Sequence, residues 1–255
     1  MSLFSIKDRV ALITGGNGGI GLGMAEGLAK AGAHIMVAGR NRDKSEAAAA
    51  KLAKLGVKTG VVAVEVQHAD SCAAMVAATV KQFGRLDILV NNAGINIRKQ
   101  PEQYSPAEWR EVLAINLDGA FFCSQAAYST MKAAGGGKII NIGSMLSLFG
   151  ASFAPAYAAS KGGIVQLTKS LATAWAKDNI QVNAILPGWI DTELTRGARA
   201  QVEGLHDRVL ARTPAARWGE PGDFAGVAVF LASPASNFIT GVSLPVDGGW
   251  SIQGG

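Results

Sequence analysis

The opening of the chain leaves few folds available to it. Arg9-Val10-Ala11-Leu12-Ile13-Thr14 is a short apolar run, Gly15-Gly16-Asn17-Gly18-Gly19-Ile20-Gly21 follows at once, and Leu22 to Ala31 is rich in Ala and Leu. Strand, glycine turn, helix is the arrangement that brings a pyrophosphate onto a helix N-terminus, because side chains in the turn would keep the phosphate off the backbone. The alternation then continues. Apolar strand candidates lie at 34–38, 60–66, 86–90, 138–143, 180–186 and 242–246, with helical stretches at 43–55, 71–83, 106–133, 154–177 and 222–231. Ser105 and Glu108 form a capping box at the start of the 106–133 stretch, and Gly135-Gly136-Gly137 stops it. Seven strands alternating with helices predict an α/β fold: a doubly wound, parallel, seven-stranded sheet with helices on both faces.

The chain has 255 residues, of which 49% are hydrophobic and 17% charged, which suits a large core covered on both sides. No repeat, linker or low-complexity tail divides it, so residues 1–255 read as a single dinucleotide-binding domain. The segment at about 188–218 has little periodicity and contains Gly188, Gly197, Gly204 and Pro214; it reads as a substrate lid. No apolar run reaches membrane-spanning length, and MSLFSIKDR has no secretory pattern, so a cytoplasmic protein without a membrane partner is expected. The net charge is +5, but the basic residues are scattered, and no nucleic-acid partner is expected. Cys72 and Cys123 are too few for a disulfide framework and read as buried thiols. His34, His68 and His206 are isolated, so no metal site is expected.

Several chemistry-bearing residues follow strand ends. Asn91-Asn92-Ala93-Gly94 ends the fourth strand candidate, Ser144 the fifth and Pro187-Gly188 the sixth. In sheets of this kind ligands sit beyond the carboxyl ends of the strands. Tyr157 and Lys161 stand four apart in the helix after Ser144 and so share a face. A nearby ammonium favours phenolate, so such a Tyr is expected to give and take a proton near neutral pH. Tyr128 and Lys132 repeat the spacing without a strand-end serine and read as packing or interface.

The Thr14-Gly15…Gly19-Ile20-Gly21 spacing departs from G-x-G-x-x-G. Together with Asn92-Ala93-Gly94, Asn116, Ser144, Tyr157 and Lys161, it resembles the short-chain dehydrogenase/reductase family over essentially the whole chain. The resemblance implies a Rossmann-like oxidoreductase that interconverts a secondary alcohol and a ketone by hydride transfer with a nicotinamide cofactor. It implies that Tyr157 is the general acid/base, that Ser144 holds the substrate oxygen, that Lys161 lowers the Tyr157 pKa and bonds the nicotinamide ribose, and that Asn116 organises a water. It implies a cofactor site built from Gly15, Asn17, Gly19, Ile20, Gly21, Arg40, Glu65, Val66, Asn92, Ala93, Gly94, Tyr157, Lys161, Pro187, Gly188, Ile190 and Thr192. Gly39 stands where NAD-specific sites commonly carry an acid, and Arg40 follows with Arg42 nearby, which favours NADP(H) over NAD(H). Gly18 dissents, because NADP-using relatives often carry a basic residue there.

Within the family, Gly94-Ile95-Asn96-Ile97-Arg98, Ile140 to Ser147, Arg212 to Gly219 and Val246 to Trp250 resemble the gluconate 5-dehydrogenases and 2-deoxygluconate 3-dehydrogenases. A sugar acid or related polyol is therefore the expected small-molecule substrate, with Arg98 as a candidate partner for its carboxylate and Trp189 as a candidate wall of the pocket. A 3-oxoacyl-acyl-carrier-protein reductase or general carbonyl reductase is the alternative. A non-catalytic dinucleotide sensor is a further one, disfavoured by the intact Asn116, Ser144, Tyr157 and Lys161. The resemblance also implies a homotetramer.

Overall fold

Alternation along each strand decides which layer its side chains join. In the computed structural model, which describes residues 3–254, strand β1 (Val10–Thr14) sends Ala11 and Ile13 into one core and Leu12 into the other. Strand β2 (His34–Ala38) divides in the same way, Ile35 and Val37 against Met36 and Ala38. Both cores are apolar, so the strands read as continuous hydrophobic runs, as expected of a sheet covered on both faces.

Among the described residues seven strands form one all-parallel sheet in the order β3-β2-β1-β4-β5-β6-β7. The remaining strands are β3 (Thr59–Val62), β4 (Ile88–Asn91), β5 (Gly137–Ile142), β6 (Ile180–Pro187) and β7 (Ser243–Val246). Chain order reverses between β1 and β4, and the split there opens the crevice at the strands' carboxyl ends. On one face lie α1 (Gly19–Lys30) and α9 (Ala225–Ala232); on the other lie α3 (Ala69–Phe83), α5 (Gly119–Ala133) and α6 (Pro155–Trp175). Helix α2 (Arg42–Ala53) follows β2, its N-cap Asn41 accepting a hydrogen bond from Lys44 N at 2.9 Å.

Three expectations need correction. The third strand ends at Val62 rather than Val66, because Val64 and Val66 leave the sheet and turn into the crevice wall. The stretch expected as one helix over 106–133 is α4 (Pro106–Leu113), a widened π turn at Ala114–Asp118 and then α5. The widened turn coincides with Asn116, whose amide is drawn into bonds with Ile95. The segment at 188–218 is not irregular: it carries α7 (Glu193–Gln201) and α8 (Leu205–Arg212), joined through left-handed Gly204. Ala198, Leu205, Val209 and Trp218 close a small core beneath them. Among the described residues no helix is long and apolar enough to cross a membrane.

Candidate active site

The glycine turn is held by the strand beside it. Thr14 Oγ1 accepts from Asn92 N (3.0 Å) and Ala93 N (3.1 Å), and Asn92 Nδ2 donates to Thr14 O (3.0 Å) and Gly15 O (3.1 Å). The Asn92 side chain is thus a stitch between β1 and β4. Gly15 and Gly19 take positive φ, +63° and +50°, to make the turn. A Cβ on Gly21 would stand 2.4 Å from both Asn92 Nδ2 and Gly15 O, so the third glycine lets α1 start against that stitch.

Above this floor lies a cleft of about 560 Å³. Gly15, Asn17, Gly19, Ile20, Arg40, Val66, Asn92, Ala93 and Gly94 line it together with Ser144, Tyr157, Lys161, Pro187, Gly188, Ile190 and Thr192. Gly21 supports the turn from behind. Glu65 does not join the wall: its exposed carboxylate lies 3.5 Å from His68 Nε2, and Val64 and Val66 on either side face the cleft instead. The alternation of an extended segment turns Glu65 outward. Asn17 Nδ2 donates to Ser45 Oγ at 3.0 Å. Thr192, N-cap of α7, leans over the turn, since a Cβ on Gly19 would meet its Cγ2 at 3.3 Å.

The proton-transfer residues converge. Ser144 follows β5; its Oγ accepts from Leu146 N at 3.1 Å, and its side chain acts on the Tyr157 phenol, which lines the same cleft. Lys161, one turn beyond Tyr157 on α6, is 4% exposed, and its Nζ donates to Ile142 O at 2.7 Å. Burial lowers this amine to about 8. Burial also pushes the Tyr157 phenol up, while the Ser144 hydrogen bond and then the Arg98 charge pull it down. Lys161 lies one helical turn from this phenol. The ammonium is turned to a carbonyl, with its nitrogen 5.6 Å from the ring centroid, and burial outweighs the favourable partners.

Asn116 is 2% exposed and lies behind the wall. Its Nδ2 donates to Ile95 O (2.9 Å) and Ser160 Oγ (3.0 Å), and its Oδ1 accepts from Ile95 N (2.8 Å). Both ends of the amide are committed, so the side chain holds the Gly94–Ile95 floor beside Lys161. Arg98 is half-buried, donates from Nη2 to Leu194 O on α7 at 3.2 Å, and acts electrostatically on Tyr157. Trp189 turns away from the cleft into the small core beneath α7 and α8, edge-on to Trp218 at 5.7 Å. Tyr128 bonds Asp178 at 2.8 Å and stacks on Trp175, away from the cleft.

Two contributors escape sequence reasoning. Ser147 Oγ accepts from Ser144 N (3.1 Å) and donates to Lys161 O (2.7 Å), tying the strand end to the catalytic helix. Its one signal is the Ser-x-x-Ser spacing. Lys44, in the first turn of α2, lines the cleft and pairs with Glu193 Oε2 at 2.7 Å. No motif marks it, because the contact spans 149 residues.

Comparison with known proteins agrees with this geometry. The family model described as enoyl-(acyl carrier protein) reductase matches residues 15–251. The chain is 43% identical over 251 residues to the 2-dehydro-3-deoxy-D-gluconate 5-dehydrogenase of Escherichia coli strain K12, covering 98% of each. It is 40% identical to the solved gluconate 5-dehydrogenase of Burkholderia cenocepacia J2315 in complex with NADP and tartrate, with a TM-score of 0.94 and 99% and 98% coverage. It is 33% identical to a short-chain type dehydrogenase/reductase of Mycobacterium marinum, with a TM-score of 0.94 and 98% of each chain covered. A seven-stranded parallel sheet, a stitched glycine turn and a Ser-Tyr-Lys set on one cleft thus occur in a chain that belongs to the short-chain dehydrogenase/reductase family.

Proposed function

We propose that this protein is an NADP(H)-dependent oxidoreductase that interconverts a secondary alcohol and a ketone on a sugar acid. One observation carries the reading: Ser144, Tyr157 and Lys161 line the same cleft as the glycine turn, and Arg98, outside that lining, lies near enough for its charge to act on Tyr157. Tyr157 supports the role of proton carrier, and Arg98 that of a partner for the substrate carboxylate. The relatives named for gluconate derivatives, and the neighbour holding NADP and tartrate, support the same substrate class.

The cleft fits the dinucleotide. Its glycine turn leaves no room for a Cβ at Gly21, and Gly39 leaves the end of β2 without an acid. Gly15, Asn17, Gly19 and Ile20 would meet the pyrophosphate, Arg40, Val66, Asn92, Ala93 and Gly94 the adenosine half, and Pro187, Gly188, Ile190, Thr192, Tyr157 and Lys161 the nicotinamide half. Bound there, the cofactor supplies or accepts the hydride. In oxidation Tyr157 takes the hydroxyl proton; in reduction it gives that proton to the carbonyl oxygen. Ser144 holds the same oxygen, Lys161 supplies the positive charge beside it, and Asn116 fixes the floor. Arg98 holds the substrate carboxylate, bidentate geometry suiting a guanidinium. Residues 188–218 act as the lid, a role supported by the Arg98–Leu194 and Lys44–Glu193 contacts that tie α7 across the cleft. The reading extends to a cytoplasmic homotetramer, supported by exposed Phe121, Phe238 and Ile252 and checked by light scattering of the purified protein.

Initial rates with NADP+ on gluconate and 2-deoxygluconate, and with NADPH on 5-ketogluconate and an acetoacetyl thioester, test the proposal. Turnover is expected on the sugar acids, with KM raised about 30- to 100-fold in Arg98→Met. Preference for the thioester, or a KM indifferent to Arg98, refutes it.

A further inference from the structure

The adenosine rim holds a cation that the motif pattern does not name. Gly18 lacks the basic side chain often found before the second motif glycine, yet its space is not free. A Cβ on Gly18 would stand 3.2 Å from Lys44 Cε and 3.3 Å from Lys44 Nζ. The amine of Lys44 thus occupies the place that a basic side chain at position 18 would start from. The backbone fixes how it gets there: Asn41 caps α2 by accepting Lys44 N, which sets the first turn of that helix against the glycine turn.

The other charges at this rim separate by partner. Arg42 points outward to Glu46 in an exposed i,i+4 pair. Arg40 lines the cleft and makes no ion pair among the described residues. Gly39 leaves room for the Asn17 amide, since a Cβ there would lie 2.8 Å from Asn17 Nδ2. Among the described residues Glu193 is the one carboxylate on the cleft wall, and Lys44 holds it at 2.7 Å. The side chains of that pair are 40% and 80% exposed, so water screens it and it binds weakly. A phosphate dianion offers Lys44 twice the charge and more acceptor oxygens.

We propose that Lys44 is a specificity-determining residue for the cofactor's 2′-phosphate, taking over from the side chain absent at Gly18, and that Glu193 is the resting counter-ion the phosphate displaces. The inference rests on the reading that this cleft takes NADP(H). Arg40 and Lys44 then grip the phosphate from the two sides of the rim, the guanidinium as a fork and the amine as a point charge.

Equilibrium binding tests this without turnover. Adenosine 2′,5′-bisphosphate and 5′-AMP, which lack the nicotinamide, and NADPH and NADH are titrated calorimetrically into wild type, Lys44→Met, Lys44→Arg, Glu193→Gln and the Lys44→Met/Glu193→Gln double variant. Circular dichroism verifies each fold. Lys44→Met is expected to weaken the bisphosphate and NADPH about tenfold and to leave 5′-AMP and NADH within about twofold, with Lys44→Arg restoring most of the loss. Glu193→Gln is expected to tighten the bisphosphate about two- to fivefold, and only when Lys44 is present. Equal weakening of all four ligands by Lys44→Met would move the residue to the pyrophosphate and overturn the assignment. No weakening, in a wild type that prefers the bisphosphate, would overturn Lys44 alone and leave the phosphate to Arg40. A wild type indifferent to the 2′-phosphate would overturn the NADP(H) reading and Lys44 with it.

Discussion

Replacing Lys161 by methionine should make the protein more stable and inactive. The amine is 4% exposed, its single bond is to Ile142 O, and burial lowers it from 10.5 to about 8. Near pH 7 it is still protonated, so the folded chain carries a poorly solvated charge. For a base whose folded pKa lies below its unfolded one, the cost is fully present below the folded value, and it is relieved as pH rises from about 8 toward 10.5. The difference amounts to about 3 kcal/mol near pH 7 and about 1 kcal/mol near pH 9.5. Methionine removes the charge and keeps the volume, but leaves Ile142 O without its donor, a loss of about 1–2 kcal/mol. Lys161→Met should therefore gain about 1–2 kcal/mol near pH 7 and lose that gain, a change of about 2 kcal/mol, near pH 9.5. Urea unfolding of the cofactor-free protein, followed by tryptophan fluorescence at both pH values, reads the difference. Groups common to the two proteins cancel. A variant clearly less stable than wild type near pH 7, or a difference that ignores pH, would refute the reasoning.

Three further outcomes are expected. Tyr157→Phe should lower turnover by about 10²–10⁴ with the NADPH dissociation constant held within about threefold, read by single-turnover kinetics and titration. Gly21→Ala places a Cβ 2.4 Å from Asn92 Nδ2 and Gly15 O; it should destabilise the fold by about 1–3 kcal/mol and weaken dinucleotide binding in the same preparation. Oxidation needs Tyr157 deprotonated, so kcat/KM for an uncharged secondary alcohol should rise with pH, and reduction should fall. Because Arg98 pulls the phenol down, Arg98→Met should move both limbs upward in pH; an unmoved profile would show that Arg98 does not act on Tyr157.

The parts legible in the sequence are those that local pattern controls. Thr14 through Gly21 announces the turn because only glycine fits its positive φ and close approach. Ser144, Tyr157 and Lys161 announce themselves because a strand end and one helical turn fix their relation before any tertiary contact forms. The misses have a different cause. Glu65 sits at the expected number but on the outer side of an extended segment, and one position either way changes the face. Asn92 and Asn116 appear at their places, yet their amides are spent on main chain at Gly15 and Ile95, which only the folded register reveals. The two helices in 188–218 hide because Ala198, Leu205 and Val209 are too few to give a period without their partner Trp218. Lys44 was invisible for the plainest reason, that Glu193 and Gly18 come to it from elsewhere in the chain.

The resting site carries its positive charge before any negative charge exists to meet it. Burial keeps Tyr157 a phenol, and Lys161 faces a carbonyl rather than an anion. Catalysis depends on interactions that are stronger in the transition state than in the ground state. In reduction, the phenolate that forms as Tyr157 gives its proton to the carbonyl oxygen has Ser144 acting on it and a cation one helical turn away, so the charge that strains the resting fold becomes favourable at that moment. Had Lys161 been paired with a carboxylate, the fold would be easier to hold and the amine would have less to give. On the proposed reading the same logic extends to Arg98: a substrate carboxylate on the guanidinium would weaken its pull on Tyr157 and leave the phenolate to Ser144 and Lys161. A buried amine at about 8, costly to the fold and unpartnered by any anion among the described residues, is what that division of labour requires.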